Sequence, residues 1–346
     1  MRKSEPTMKA TLHDVARLAA VSIKTVSNVI HNHPNVTEIT RAKVLVAIET
    51  LSYSANLSAR SLRTGRTNII SLVIPQLRNS YFTELADAMI ISAEKYGLAV
   101  LIEQTSGDRD KELTILKNAT RKFTDGVIYH PEGLSQGDAE LTNVDYPLVL
   151  IGENIFNGPK DHVTMKNSEA AQAATQYLLS LGHTRIALIG AHKNEASGTA
   201  RLRLRGYRSA IEAAGIKYDE DLIGYTTPWF RSNGSDVMNE LLNRNKDFSA
   251  VFALNDLLAF GAMRALQEKG ISIPGEISVM GFDNVDEDAY SLPSMTSMEP
   301  GKKEIAEMCV KTLVERISMG DGTQMPGREI EVGFQIVKRE STARKM

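Results

Sequence analysis

The 346-residue sequence predicts an α/β protein in two parts, a small all-α helix-turn-helix headpiece and a two-lobed, doubly wound body. Three observations lead there. Residues 11–31 hold two short helical patterns separated by a three-residue break. From Ile69 onward, short β-type runs alternate with helical patterns, the arrangement of βαβ units and a parallel sheet. Charge is also divided. Residues 1–66 hold ten Lys and Arg against four acids, a head of +6, and since the whole chain stands at −2 the remaining residues carry −8. A basic end on an acidic body is the electrostatic footprint of nucleic-acid binding confined to one end.

The headpiece opens with Thr11 and, three residues on, Asp14, which have the form of a capping box. Val15, Ala16, Leu18 and Ala19 supply the apolar face of the first helix. Ala20-Val21-Ser22 is the break, and Ser22 can cap a second helix over Ile23 to His31. Two helices joined so tightly form a helix-turn-helix, whose second helix enters the DNA major groove by its N-terminal end. In that helix Val26, Val29 and Ile30 fall at i, i+3, i+4 and are expected inside, leaving Ile23, Lys24, Thr25, Ser27 and Asn28 outside. Lys, Thr, Ser and Asn in that position suit base-edge and phosphate contacts. The plainer alternative is a solvated helix in an ordinary bundle. A third helix, Glu38 to Leu51, closes the core with Ile39, Val44, Ala47, Ile48 and Leu51.

Residues 52–66 form a basic tether. Its stretch Asn56-Leu57-Ser58-Ala59-Arg60-Ser61-Leu62 is long enough for two helical turns, too short to be stable alone in water.

In the body, strands are expected at 69–74, 98–103, 126–130 and 147–152, with helices over Tyr81 to Tyr96, Asp110 to Arg121 and 168–181. A second set follows: strands at 185–190, 250–254 and 277–282, with helices over Arg201 to Ala214 and Leu257 to Lys269. A helix over 302–317 and a strand near 334–338 complete it. Gly97, Gly182 and Gly270 stand where helices should stop. Two lobes fit this pattern better than one very large sheet.

Ligands of open α/β sheets sit beyond the carboxyl ends of the strands, so the residues just after each strand are the candidates. They are Asn79 to Phe82, Arg203 at the start of its helix, Asn255-Asp256, and Asp283-Asn284. A guanidinium, an amide and a carboxylate converging on one cleft match a polyhydroxyl ligand: Arg donates in a rigid fork, Asp accepts, and Asn does both. Phe82 and Trp229 offer flat apolar faces for a sugar ring. Each has a plainer alternative. Asp256 suits an N-cap, Asn284 a turn, and Trp229 ordinary core, while Arg201 and Arg205 flank Arg203 on other helix faces and are expected at the surface.

The stretches TLHDVARLAAVSIKTVSNVI, NVTEITRAKVLVAIETLSYSAN and LSARSLRTGRTNIISLVIP resemble the lactose/galactose repressor (LacI/GalR) family, and the likeness runs on to FQIVKREST. The resemblance implies a headpiece over 1–54, a hinge helix and linker over 55–66, and a periplasmic-binding-protein-like body over 67–346. By the same resemblance the chain crosses between lobes three times, giving lobe 1 as about 67–167 with 296–325 and lobe 2 as about 168–295 with 326–346. It places Leu62 where a leucine wedges into the minor groove to bend the duplex; packing on the body is the alternative. The candidate DNA-contacting set is therefore Thr11, Ser22, Ile23, Lys24, Thr25, Ser27, Asn28, Asn56, Ala59 and Leu62. Arg203 in RLRLRGY, Asn255 in NDLLAFG and Asp283 in GFDN match effector-contacting positions, and Trp229 matches a ring-stacking position of some members. With Tyr81 and Phe82 these make the candidate effector site. Ala20 replaces the usual turn Gly and Ala55 the usual Pro before the hinge Asn. The first departure matters to the turn's backbone angles, since Gly tolerates positive φ freely. Lys302 stands at a position often apolar in the family, and Gly152-Glu153 where many members carry an acidic-basic pair.

These readings imply a DNA-binding transcriptional regulator, a repressor of carbohydrate-utilisation genes, working as a homodimer on a pseudo-palindromic operator under control of a small sugar. A nucleoside- or purine-responsive regulator of the same architecture is the alternative; it would stack its base on Tyr81 and Phe82. A sugar-binding transport protein would share the body, but should carry a secretory signal and no basic headpiece. Gly133-Leu134-Ser135-Gln136-Gly137 matches G-x-S-x-G, yet Pro131-Glu132 interrupt the strand that a nucleophile elbow needs, so a polar loop is expected there and no enzyme. Cys309 is the only cysteine, which leaves no intrachain disulfide or Cys-rich zinc site, and no metal or cofactor is expected. With no apolar leader and no run of 18 apolar residues, a cytoplasmic protein off the membrane is expected.

Overall fold

A computed structural model describes residues 10–30, 33–51, 53, 66–117, 123–193, 198–244, 247–319 and 325–345. The chain divides into two compact units, 1–67 and 68–346.

In the first unit, helix α1 is Leu12–Leu18, α2 Ile23–Ile30 and α3 Glu38–Thr50. The Thr11 hydroxyl accepts the Asp14 N–H, and the Thr11 N–H donates back to the Asp14 carboxylate at 3.0 Å, completing the capping box. At the other end of α1 the Ala20 N–H donates to Arg17 O and the Val21 N–H to Ala16 O, a Schellman closure with Ala20 at φ +53°. Val15, Ala16, Ala19, Val26, Val29, Val44 and Ala47 form the core of this unit. Two residues expected inside are not: Leu18 is 51% exposed and Ile39 74%. At 100° per residue, each lies roughly 110° round its helix from the centre of the buried face. The α1 face is narrower than the sequence suggests, and small residues define it.

The second unit holds two sheets. The first contains β1 Ile69–Ile74, β2 Ala99–Gln104, β3 Gly126–Tyr129, β4 Leu148–Ile151, β5 Asp161–Met165 and β11 Glu329–Val332, all parallel, in the order β11-β5-β4-β3-β1-β2. The second contains β6 Ile186–Ala191, β7 Ile223–Tyr225, β8 Ala250–Ala253, β9 Ser278–Phe282, β10 Thr296–Glu299 and β12 Gln335–Val337, in the order β12-β10-β9-β8-β6-β7. Only the β10–β12 pair is antiparallel. The helices are α4 Ser80–Glu94, α5 Arg109–Lys117, α6 Asn167–Ser180, α7 Thr199–Ala213, α8 Arg231–Asn243, α9 Asp256–Glu268 and α10 Lys302–Met319.

Strand membership moves two of the three expected crossings between lobes. The first crossing, at Lys166 between β5 and α6, is within a residue of expectation. The second lies at Pro300-Gly301 rather than 296, because β10 pairs with β9 in the second sheet, whereas α10 packs on α4 and β3 to β5. The third lies at Gly333-Phe334 rather than 325, because β11 pairs with β5 in the first sheet. Four strands (β5, β7, β10 and β11) and helix α8 have no counterpart in the sequence reading. β5 was hidden by its polarity: Asp161 is buried and held by Arg316 at 2.6 and 2.7 Å and by Arg328 at 3.0 Å, so the charges are paired inside. Helix α8, RSNGSDVMNELLN, carries Gly234 in its interior, where a Cβ would meet Leu258 O at 2.2 Å. The glycine that weakens the helical signal is what lets α8 lie against α9.

Each sheet reverses strand order beside its first strand, between β2 and β3 around β1 and between β7 and β8 around β6. The carboxyl ends of β1, β3, β6 and β8 therefore border the natural crevice of each lobe.

Candidate functional site

On the headpiece, Lys24 and Ile23 are exposed, with Ile23 at 47%, and Thr25, Ser27 and Asn28 are half-buried. The hydroxyls of Thr11 and Ser22 serve their helices: Ser22 Oγ accepts the Thr25 N–H at 3.1 Å and lies 2.9 Å from Thr25 Oγ1. Asn56, Ala59 and Leu62 lie outside the described residues, as does His31.

In the body, one cavity of about 310 Å³ lies between the two lobes. All six candidate effector residues, Tyr81, Phe82, Arg203, Trp229, Asn255 and Asp283, line it. Tyr81 and Phe82 come from the first turn of α4 and stack edge-on, with ring centroids 5.2 Å apart. Arg203 lies on α7 and is 3% exposed. Its Nε donates to Asn167 Oδ1 at 2.8 Å, Nη1 donates to Leu254 O and stands 3.6 Å from Asp283 Oδ1, and the guanidinium lies 3.4 Å above the Phe282 ring. The fork is thus aimed and held flat by protein groups before any ligand arrives. Trp229 is half-buried, its indole N–H donating to Gly190 O at 2.9 Å and its ring tilted against His192.

The sequence reading gave the N-cap of α9 to Asp256, and the structure gives it to Asn255, whose Oδ1 accepts the Leu258 N–H at 2.9 Å. The cap consumes only the carbonyl end of the amide. Asn255 lines the cavity, and its Nδ2 is buried with no hydrogen-bond partner among the described residues. Asp256 turns inward, accepting from Ser297 Oγ at 2.7 Å and from the Val285 N–H at 3.0 Å. Asn284 shapes a turn, with φ +50° and its side chain bonded to Glu299 and Arg339. Arg201 and Arg205 are exposed. Lys302 is buried but does not line the cavity; its ammonium lies under the 283–284 turn, donating to Asp283 O, Asn284 O and Glu299 Oε2.

Burial dominates the carboxyls here. It pushes Asp283 up to about 8, against the opposing pull of Arg203, and Asp288 up to about 10, with the neighbouring Asp256 acting in the same direction. Asp256 is raised for the same reason.

Several lining residues escaped the sequence reading: Gln76, His130, Glu132, Asn154, Thr199 and His192 among them. A signal for some was present. His130 directly follows β3 and His192 directly follows β6, the strand-end rule that found Asn255 and Asp283. Glu112 had no such signal. It is buried on α5, and its oxygens accept from Tyr129 Oη, Thr105 Oγ1 and the N–H groups of Glu132, Gly133 and Leu134, fixing the 132–134 loop at the cavity edge. Ser135 of the G-x-S-x-G match is exposed and caps a 3-10 helix over Gln136–Thr142 with Asp138, so it stands in a polar loop, as expected.

Known proteins share both units. The profile of the lacI family of bacterial regulatory proteins matches residues 11–56, and that of the periplasmic binding protein-like domain matches 175–342. The HTH-type transcriptional regulator DegA of Bacillus subtilis (strain 168) is 35% identical over 304 residues, covering 86% of this chain and 88% of its own length. The ribose operon repressor of Escherichia coli (strain K12) is 34% identical over 313 residues, covering 89% and 93%. A solved LacI-family transcriptional regulator from Sanguibacter keddieii is 44% identical with a TM-score of 0.74, over 80% of this chain and 98% of that one. The chain belongs to the lacI family of bacterial regulatory proteins, with its helix-turn-helix in the first unit and a periplasmic-binding-protein-like fold in the second.

Proposed function

We propose that this protein is a repressor of carbohydrate-utilisation genes whose operator affinity is set by a sugar bound between the lobes. The observation that carries this is the convergence of Arg203, Asp283 and Asn255 on one cavity beside Phe82 and Trp229. Donors, an acceptor and flat apolar faces together match a ring bearing several hydroxyls. The name of the ribose operon repressor accords with a sugar effector. Two headpieces of a homodimer then read a pseudo-palindrome: α2 presents Ile23, Lys24, Thr25, Ser27 and Asn28 to the major groove, and the hinge segment offers Asn56, Ala59 and Leu62 to the minor groove. No catalytic step enters this mechanism, and the protein works in the cytoplasm, where operator and metabolite meet. The sugar favours one closure of the lobes, and by linkage operator DNA shifts sugar affinity by the same factor.

Trp229 is the only tryptophan, so titrating the full chain with sugars and nucleosides reads the cavity through one emitter. A saturable response to a sugar is expected. It should disappear in Asp283→Asn and Arg203→Lys, while both variants still bind operator. Loss of operator binding by a folded variant would overturn the cleft assignment, and a response to nucleosides alone would move the effector class to bases. Leu62→Ala should weaken operator binding more than binding to a scrambled duplex at one salt concentration.

A further inference from the structure

We propose that the sugar carries a positive charge, as an amino sugar does, with its ammonium paired to Glu153. This deepens the carbohydrate reading and rests on it. Glu153 follows β4 on one lobe, lines the cavity and is 3% exposed. Among the described residues its carboxylate is held by two neutral hydroxyls, Thr164 Oγ1 at 3.3 Å and, from the opposite lobe, Thr199 Oγ1 at 2.7 Å. Among the described residues no Lys, Arg or His nitrogen lies within ion-pair reach of it. Arg203 acts on Glu153 through space but makes no ion pair with it; a carboxylate taken out of water without a paired cation is unfavourable, and it has lone pairs for more than two donors.

The surrounding charge points the same way. The charged side chains lining the cavity are Glu132, Glu153, Asp283 and Arg203. Arg203 is already engaged by Asn167 and Leu254 and stands 3.6 Å from Asp283. With the Asp283 carboxyl neutral, two glutamates still face one guanidinium. An ammonium on the ligand relieves this imbalance, whereas a phosphate aggravates it. A further hydroxyl would repeat what Thr164 and Thr199 already provide. Because the Glu153–Thr199 bond spans the lobes, a charge seated there acts on the closed arrangement directly.

The test is calorimetry on the full chain with matched series: glucosamine, glucose, N-acetylglucosamine and glucose 6-phosphate, and the galactose and mannose equivalents. The expected result is an amine that binds roughly tenfold or more tighter than its hydroxyl and N-acetyl counterparts, with the phosphate weakest. That gap should collapse in Glu153→Gln. The wild-type comparison stands even if the variant fails to fold. A neutral sugar binding as tightly as its amine, or a phosphate binding tighter, overturns the charge assignment and leaves the carbohydrate reading intact. Nucleoside binding with no response to any sugar overturns both.

Discussion

Replacing Ala20 by glycine should stabilise the headpiece. Ala20 is exposed, so its methyl group buries little, and it sits at φ +53° in the position after the α1 cap. For an L-residue the left-handed region is unfavourable by about 1–2 kcal/mol, because Cβ crowds the following carbonyl. Glycine escapes that clash but loses about 0.5–1 kcal/mol in extra chain entropy on folding. The difference leaves about 0.5–1 kcal/mol in favour of Ala20→Gly. The two hydrogen bonds of the Schellman closure, Ala20 N–H to Arg17 O and Val21 N–H to Ala16 O, use backbone atoms alone and survive the change. Amide hydrogen exchange of the full chain reads this directly. Protection across 15–29, the α1–turn–α2 segment, should rise by about twofold to fivefold, with no change in the body. Faster or unaltered exchange would refute the reasoning, because it would mean that Ala20 does not hold a left-handed backbone in solution.

Other expectations follow from the body. Asp288 is pushed up to about 10 and Asp283 to about 8, so the folded protein keeps protons that the unfolded chain releases above about pH 4. Stability therefore falls from about pH 4 upward, with both carboxyls contributing up to about 8 and Asp288 alone from there to about 10, and Asp288→Asn, which keeps a neutral group there, should flatten that decline in melts taken from pH 5 to 10. Gly206→Ala should lower Tm, since its Cβ would meet Ser168 O at 2.1 Å and Gln172 N at 2.8 Å where α7 crosses α6. Overpacking against backbone is destabilising by about 1–3 kcal/mol, and calorimetric melting reads it.

What the sequence revealed follows a physical pattern. Strands β1, β3, β4, β6, β8 and β9 are apolar and β-branched, helices stop at Gly97, Gly182 and Gly270 with positive φ, and all of these were legible. β5 and β11 were not, because their buried partners are polar: His162 on β5 bonds Glu329 on β11 at 2.6 Å, and Asp161 holds two arginines. Local hydrophobic periodicity carries no trace of pairing between residues more than 160 positions apart. The misplaced crossings have the same origin, since β10 and β11 were the strands that would have fixed them. In the site, Arg203 and Asp283 were legible from motif and strand end. Asn255 was legible as a residue but not as the shared cap and free donor it becomes. The Glu112 anchor was invisible because its acceptors gather backbone N–H groups from a loop that has no pattern of its own.

The lobes also meet away from the cavity, and the character of those contacts bears on how a small ligand can act. Ser80 Oγ donates to Glu287 at 2.7 Å, the Asp286 N–H donates to Glu84 at 2.7 Å, and Arg78 lies 3.7 Å from the Phe230 ring centroid. Arg78, Asp286 and Glu287 are exposed and their partners half-buried, and polar pairs at the surface are each worth only about 0–1 kcal/mol. These three contacts together therefore contribute at most about 3 kcal/mol to holding the lobes together, a difference that a ligand bridging the lobes can match. Arg203 and Glu153 belong to opposite lobes, so a ligand that bonds both gains that differential by geometry: each contact exists in full only when the lobes are closed.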